Sequence, residues 1–231
     1  MIWLGFAGWR RVEPRLAAPR RRSVGGRAFR HLILPAILLA WATGAAQDRD
    51  YGVLGSPEAP LEMTVFSDFE CPACRNFALA AQPAIAAEFV ATGRLRIRYV
   101  YFPLAAIHPN AVAAAKAAHC AGRAGRFWEY HDYLFVRQPE WAGESISNDL
   151  WIRYADNLGI ETEPFAACLA ADATHAAVES DLRAALRAGA TGTPTIVIGG
   201  ESLSGLTSYA ALRRRIVEAL NRIAPPDPEG P

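Results

Sequence analysis

The chain has 231 residues, 52% hydrophobic and 20% charged, with a formal net charge of +1. That composition is globular and excludes a disordered chain, a collagen-like fibre and a polytopic membrane protein. The charge is uneven: residues 1–46 hold eight arginines and one acid, a net of +7, and residues 47–231 hold 16 Lys and Arg against 22 Asp and Glu, a net of −6. A mildly negative body argues against nucleic-acid binding, which needs a basic face.

In the basic head, Arg20, Arg21, Arg22, Arg27 and Arg30 precede the apolar run Leu32–Trp41, and Ala42-Thr43-Gly44-Ala45-Ala46 follow. This is the order of a secretory signal, with the cut expected after Ala46. The rival is a retained membrane anchor. The uncharged stretch from Leu32 to Gln47 is 16 residues and contains Pro35, short of the roughly 20 needed to span a bilayer. Export would place all four cysteines, Cys71, Cys74, Cys120 and Cys168, in an oxidising compartment.

Residues 47–60 are polar and marked by Gly and Pro, with a short strand expected at Tyr51–Leu54. Leu61–Ser67 alternates apolar and polar and then becomes continuous, as a central strand does. Cys71-Pro72-Ala73-Cys74 follows directly. Phe77, Leu79, Ile85 and Phe89 then predict a helix, interrupted at Pro83 and stopped near Gly93, and Leu95–Phe102 predicts a second strand. Residues 61–102 thus read as a β-α-β unit with the CxxC where the first strand passes into the helix.

Residues 104–189 read as helical throughout: Asn110–Ala121; Phe127–Phe135, ending near Pro139; Asp149–Leu158, stopped by Gly159; and a long helix with Val178, Leu182 and Leu186 on one face, stopped by Gly189. Thr195–Ile198, Gly199-Gly200 and Glu201–Ser204 predict a tight hairpin. A last helix from about Ser208 places Leu212, Ile216 and Leu220 on one face, and residues 224–231 are a Pro-rich tail. The expected organisation is an α/β domain made of 61–103 and 190–223, with an all-helical subdomain, 104–189, inserted between its halves.

The chemistry centres on the CxxC. A cysteine at a helix start lies over unpaired backbone N–H groups and the positive end of the helix dipole. Such thiols have pKa values of about 3.5 to 7.5, against about 8.5 for a free one. Pro72 suits the first helical position, where its missing N–H costs nothing. Cys71 is therefore the candidate nucleophile and Cys74 the resolving thiol. Half a zinc site would look the same, but there is no second CxxC and no HxxxH, so no metal is expected. Thr191-Gly192-Thr193-Pro194-Thr195 precedes the third strand and reads, alone, as an ordinary Gly/Pro turn.

In combination these motifs resemble the DsbA-like family of exported thiol:disulfide oxidoreductases. The resemblance rests on Ser67-Asp68-Phe69-Glu70-Cys71-Pro72-Ala73-Cys74, the inserted helices and Gly192-Thr193-Pro194-Thr195. Phe102-Pro103-Leu104, His108-Pro109-Asn110-Ala111 and Phe127-Trp128-Glu129-Tyr130-His131 add to it, and the match runs over about residues 51–223. It implies a thioredoxin fold with a helical insertion, Cys71 as attacking thiol, Cys74 as its partner, and Pro194 as a cis-proline facing the CxxC. The Thr193 backbone would then be free to pair with an extended substrate, beside the uncharged Pro72-Ala73 rim. It also implies unfolded exported proteins as substrates, a membrane redox partner of the quinone-linked kind, a periplasmic location and no bound cofactor; the chain is expected to act as a monomer. Two positions depart from the pattern. The best-known members carry histidine in the dipeptide, here Pro72-Ala73, and Val65 stands where thioredoxins proper carry a buried acid.

Cys120 and Cys168 both fall in the helical insertion. A structural disulfide is the leading expectation, with buried free thiols and a regulatory pair as alternatives. Asp68 and Glu70 read as surface acids that could instead tune the thiolate. His108 reads as a helix-starting residue. His119, His131 and His175 read as solvated or core-satisfied, the aromatics of 127–135 as core, and Arg213-Arg214-Arg215 as a solvated face. Disulfide donor, isomerase or reductase kept reduced, and non-catalytic metal-binding module all remain open.

Overall fold

The computed structural model describes residues 50–205 and 208–223; the expected signal with its cut after Ala46 and the tail 224–231 lie outside them. Five strands, β1 (Val53–Leu54), β2 (Leu61–Ser67), β3 (Leu95–Tyr101), β4 (Thr195–Ile198) and β5 (Glu201–Ser204), form one sheet in the order β1-β3-β2-β4-β5. β2 and β3 run parallel, from Leu61 opposite Leu95 to Ser67 opposite Tyr101. β1 joins β3, β4 joins β2 and β5 joins β4, each antiparallel. Both central strands alternate at their starts and are buried continuously at their ends, as strands become when both faces are covered. The β4–β5 hairpin turns through Gly199 (φ +56°) and Gly200 (φ +83°), the positive φ values that a two-residue turn matched to strand twist requires.

One face of the sheet, with Met63, Val65, Leu95, Ile97, Ile196 and Ile198, packs against Phe77, Ile85 and Phe89 and against α8 (Tyr209–Ile223) through Leu212, Ile216 and Ala219. The helical run after the CxxC alternates α1 (Pro72–Asn76), π turns over Phe77–Ala81, α2 (Gln82–Ile85) and π turns over Ala86–Val90. Pro83 offers no N–H to this ladder. The backbone widens on either side of it, with Gln82 N–H donating to the Phe77 carbonyl and Ala91 N–H to that of Ala86. Arg213 pairs with Glu88, and Arg215 with Glu201 and Glu218, on the exposed face of α8.

The insertion consists of α3 (Ala111–Arg123), α4 (Phe127–Trp141), α5 (Asn148–Asn157), α6 (Thr162–Ala170) and α7 (Asp172–Arg187). One expectation, on α7, is corrected here. α4 ends near Pro139 as expected, running through it to Trp141. Proline removes the donor for the carbonyl four residues back, that of Phe135, and Arg75 Nε donates to that oxygen at 2.9 Å instead. On α7 the buried stripe is Thr174, Val178, Asp181 and Ala185, and Leu186 is 57% exposed. The helix is turned so that the Asp181 carboxylate accepts the Tyr101 N–H at the end of β3 (3.3 Å). Ala185 and Leu182 thereby meet Phe66, Val100 and Phe102 on the second face of the sheet.

Candidate active site

β2 ends at Ser67, and four residues later Cys71 occupies the cap of α1 in extended conformation (φ −72°, ψ 124°), with Pro72 first in the helix. Cys71 is 7% exposed and Cys74, one turn on, is 0% exposed. Pro72 is exposed and Ala73 half-buried, so the rim over the sulfurs is uncharged. Beside the end of β2, the loop entering the neighbouring strand β4 closes on the pair. The Thr193–Pro194 peptide is cis, and the Cys71 thiol donates to the Thr193 carbonyl at 3.5 Å.

The two thiols are driven apart in acidity. Cys71 is lowered to about 5. The largest cause is the hydrogen bond from the Cys74 thiol. Burial opposes it, and Thr193 and the backbone N–H groups of Cys74 and Ala73 add to it. The Thr193 hydroxyl is buried without a hydrogen-bond partner. Cys74 is pushed well up, first by burial and then by the neighbouring Cys71 thiolate. Such a pair presents one nucleophilic sulfur at the surface and keeps the second protonated beneath it.

The residues around this pair include several that sequence reading placed elsewhere. Asp68 and Glu70 are not surface acids: they are 1% and 3% exposed. Asp68 Oδ1 accepts the Glu70 N–H (2.8 Å), and Oδ2 accepts the Leu104 N–H (2.8 Å) and faces His108 Nδ1 (2.7 Å). Burial still holds this carboxyl above the usual carboxylate range, against those bonds. Glu70 Oε2 accepts the Asn110 N–H and Oε1 the Gly143 N–H, both at 2.7 Å. Gln138, which nothing in the sequence singles out, donates Nε2–H to the carbonyls of Phe69 (2.7 Å) and Cys71 (3.1 Å). One signal was available for the two acids. The apolar run of β2 turns continuous just before them, so the chain there is already under cover on both faces.

The other histidines stand apart from the sulfurs' own contacts. His131 is fully buried, with the rings of Phe69, Tyr99, Phe127, Trp128 and Phe135 at 4.9 to 6.0 Å from its own. His119 Nδ1 shares a hydrogen bond with the Tyr51 hydroxyl at 2.6 Å, and His175 is exposed beside Glu179. Cys120 and Cys168 are bonded to each other, with their Cα atoms 5.8 Å apart, and tie α3 to α6. A cavity of about 710 Å³ adjoins this bridge and includes Arg126, Glu161 and Phe165 in its wall; it shares no residue with the Cys71–Cys74 site. Among the described residues no three His, Cys, Asp or Glu side chains are placed to hold a metal ion.

A dithiol at the start of a helix, facing a cis-proline loop that leads into the neighbouring strand of a mixed sheet, defines the thioredoxin class of redox site. A thioredoxin family model matches residues 48–218. The solved structure of oxidised BdbD from Bacillus subtilis is similar, with a TM-score of 0.68 and 24% identity over 74% of this chain and 92% of that one. A probable disulfide bond formation protein D from Bacillus anthracis is 26% identical over 171 residues, 73% of this chain and 78% of that protein. A Na(+)/H(+) antiporter NhaA 3 from Salinispora tropica is 33% identical over 172 residues, 74% of this chain and 25% of the antiporter. This chain thus spans about a quarter of that relative's length, and among the described residues no helix is long and apolar enough to cross a membrane. The chain belongs to the thioredoxin family.

Proposed function

We propose that this protein introduces disulfides into newly exported proteins of the bacterial cell envelope, with Cys71–Cys74 as the disulfide it hands over. The observation that carries this reading is the split between the thiols: Cys71 acidic, beside the carbonyl of Thr193, and Cys74 sealed beneath it. A substrate thiolate attacks Cys71 in the oxidised pair, and a mixed disulfide forms. A second substrate thiolate then resolves it, leaving both protein thiols reduced. An acidic Cys71 stabilises the reduced form and so makes the disulfide a stronger oxidant. Pro72, Ala73, Thr193 and Pro194 form the substrate edge, uncharged and without sequence choice.

The same reading has the chain working as a monomer in the periplasm after loss of residues 1–46. Segment 47–60 leads into the α/β domain, 61–103 with 190–223, and 104–189 is its insertion. A quinone-linked membrane protein reoxidises the pair, and the cysteines carry the electrons without a bound cofactor. The Cys120–Cys168 bridge is structural. The test is to trap thiols in the exported protein with an alkylating reagent and read Cys71 and Cys74 by mass. An oxidised pair supports the donor. A reduced pair supports an isomerase or reductase, and a pair protected by metal supports a binding module.

A further inference from the structure

When a thiolate attacks Cys71, the new bond joins its sulfur to Cys71 Sγ and the Cys71–Cys74 bond breaks. The electron pair of that bond departs on Cys74 Sγ, and solvent later supplies the proton. The charge therefore develops on a sulfur that is 0% exposed and packed within an apolar cluster that includes Phe69 and Ala78. A buried, uncompensated charge is costly, and donors aimed beforehand at the atom where it develops lower the barrier. Val65 is buried and brings no polar atom. The donors present are the Asp68 backbone N–H, 3.5 Å from Cys74 Sγ, and the Ser67 hydroxyl.

The direction of that N–H depends on the turn 67–71. The Asp68 carbonyl accepts the Cys71 N–H (3.2 Å), and the Asp68 side chain closes the turn by accepting the Glu70 N–H. Its second oxygen is anchored to the loop before α3, on the Leu104 N–H and on His108. His108 is the one side chain in this set, from a loop 40 residues away, and it retains 16% exposure.

We propose that Asp68 and His108 are positioning residues for the departure of Cys74: their pairing holds the 67–71 turn so that the Asp68 N–H stays aimed at the leaving sulfur. This rests on the oxidoreductase reading. It assigns the pair to the step in which the disulfide opens, whereas the acidity of Cys71 in the reduced protein has its own causes in Cys74, Thr193 and the first N–H groups of α1.

The experiment uses the full chain with Cys71–Cys74 oxidised and follows its opening by dithiothreitol at neutral pH with quenched alkylation. His108→Ala is expected to slow opening about tenfold, the size of one lost charge-assisted hydrogen bond. His108→Asn, whose Nδ2 can take the place of the ring Nδ1, should restore the rate to within about threefold. In the reduced His108→Ala protein, the pH profile of Cys71 alkylation should not move. Asp68→Asn, which keeps the side-chain size but turns one of the two accepting oxygens into a donor facing the Leu104 N–H, should slow opening like His108→Ala and serves if the alanine variant does not fold. Opening at the wild-type rate in these variants, or a parallel shift of the alkylation profile, overturns the assignment. A wild-type disulfide that does not open at all refutes the oxidoreductase reading and this inference with it.

Discussion

Replacing Cys74 with alanine removes the largest single cause of the acidity of Cys71. In the reduced protein Cys71 is lowered to about 5, with the Cys74 thiol as the principal donor to it and Thr193 and the N–H groups of Ala73 and Cys74 as lesser ones. A hydrogen bond to a charged group contributes about 1.5–3 kcal/mol, and a thiol is a weak donor, so the lower end applies. At about 1.4 kcal/mol per pKa unit, Cys74→Ala should raise the Cys71 pKa by about one unit, to near 6. The backbone donors and Thr193 remain, so it should not return to the ordinary cysteine value. With Cys120 and Cys168 bonded, Cys71 is then the one free thiol, and the rate of its alkylation against pH reads its pKa without interference. A profile still centred at 5 or below would refute the role given to Cys74 and leave Thr193 and the helix start as the sources of acidity. A profile at 8 or above would refute the contribution of both.

Three further outcomes can be measured. Because the Cys71 pKa is lowered to about 5, its contribution to the stability of the reduced protein is complete above the unfolded value of about 8.5 and is lost as pH falls through about 5. Urea melts of the two redox forms should therefore show the reduced form losing about 2–3 kcal/mol relative to the oxidised form from pH 8.5 to 5, after allowance for solvent screening at a partly open thiol; a difference independent of pH would contradict the lowered pKa. Replacing both Cys120 and Cys168 with alanine opens a link spanning 48 residues and should lower unfolding free energy by about 4 kcal/mol on the chain-entropy model, while reduction of Cys71–Cys74 proceeds at an unchanged potential. Ala73→His places a polar donor in the uncharged dipeptide and should raise the reduction potential by about 30 mV, measured by equilibration with glutathione, for each 1.4 kcal/mol of added thiolate stabilisation; an unchanged potential would mean that the added ring does not reach the Cys71 sulfur.

The sheet and the cysteine pair were legible because their signals are local. Leu61–Ser67 and Leu95–Tyr101 carry their burial in their own alternation, and the α1 start is written in Cys71 followed by Pro72. The features that sequence reading misplaced depend on residues far along the chain. Whether Asp68 and Glu70 are buried is decided by Leu104, His108, Asn110 and Gly143, which supply N–H groups some 40 to 70 residues later. The stripe on α7 is set by the bond between Asp181 and the Tyr101 backbone rather than by its leucines. A polar group's place in a fold follows from its partner, and a single stretch of sequence does not contain the partner.

The Gln138 side chain changes how the insertion should be regarded. It reaches from α4 to the carbonyls of Phe69 and Cys71, while Asn110 and Gly143 hold Glu70 and the Leu104 loop holds Asp68. Excising residues 104–189 to obtain a minimal redox module would keep all five strands and both cysteines. It would also strip the stretch from Asp68 to Cys71 of most of its polar partners at once, leaving buried carboxylates and carbonyls that water must then enter to satisfy. The added helices are therefore one wall of the reactive centre, and the two halves of this protein are not interchangeable parts that a designer or a recombination event could separate and keep working.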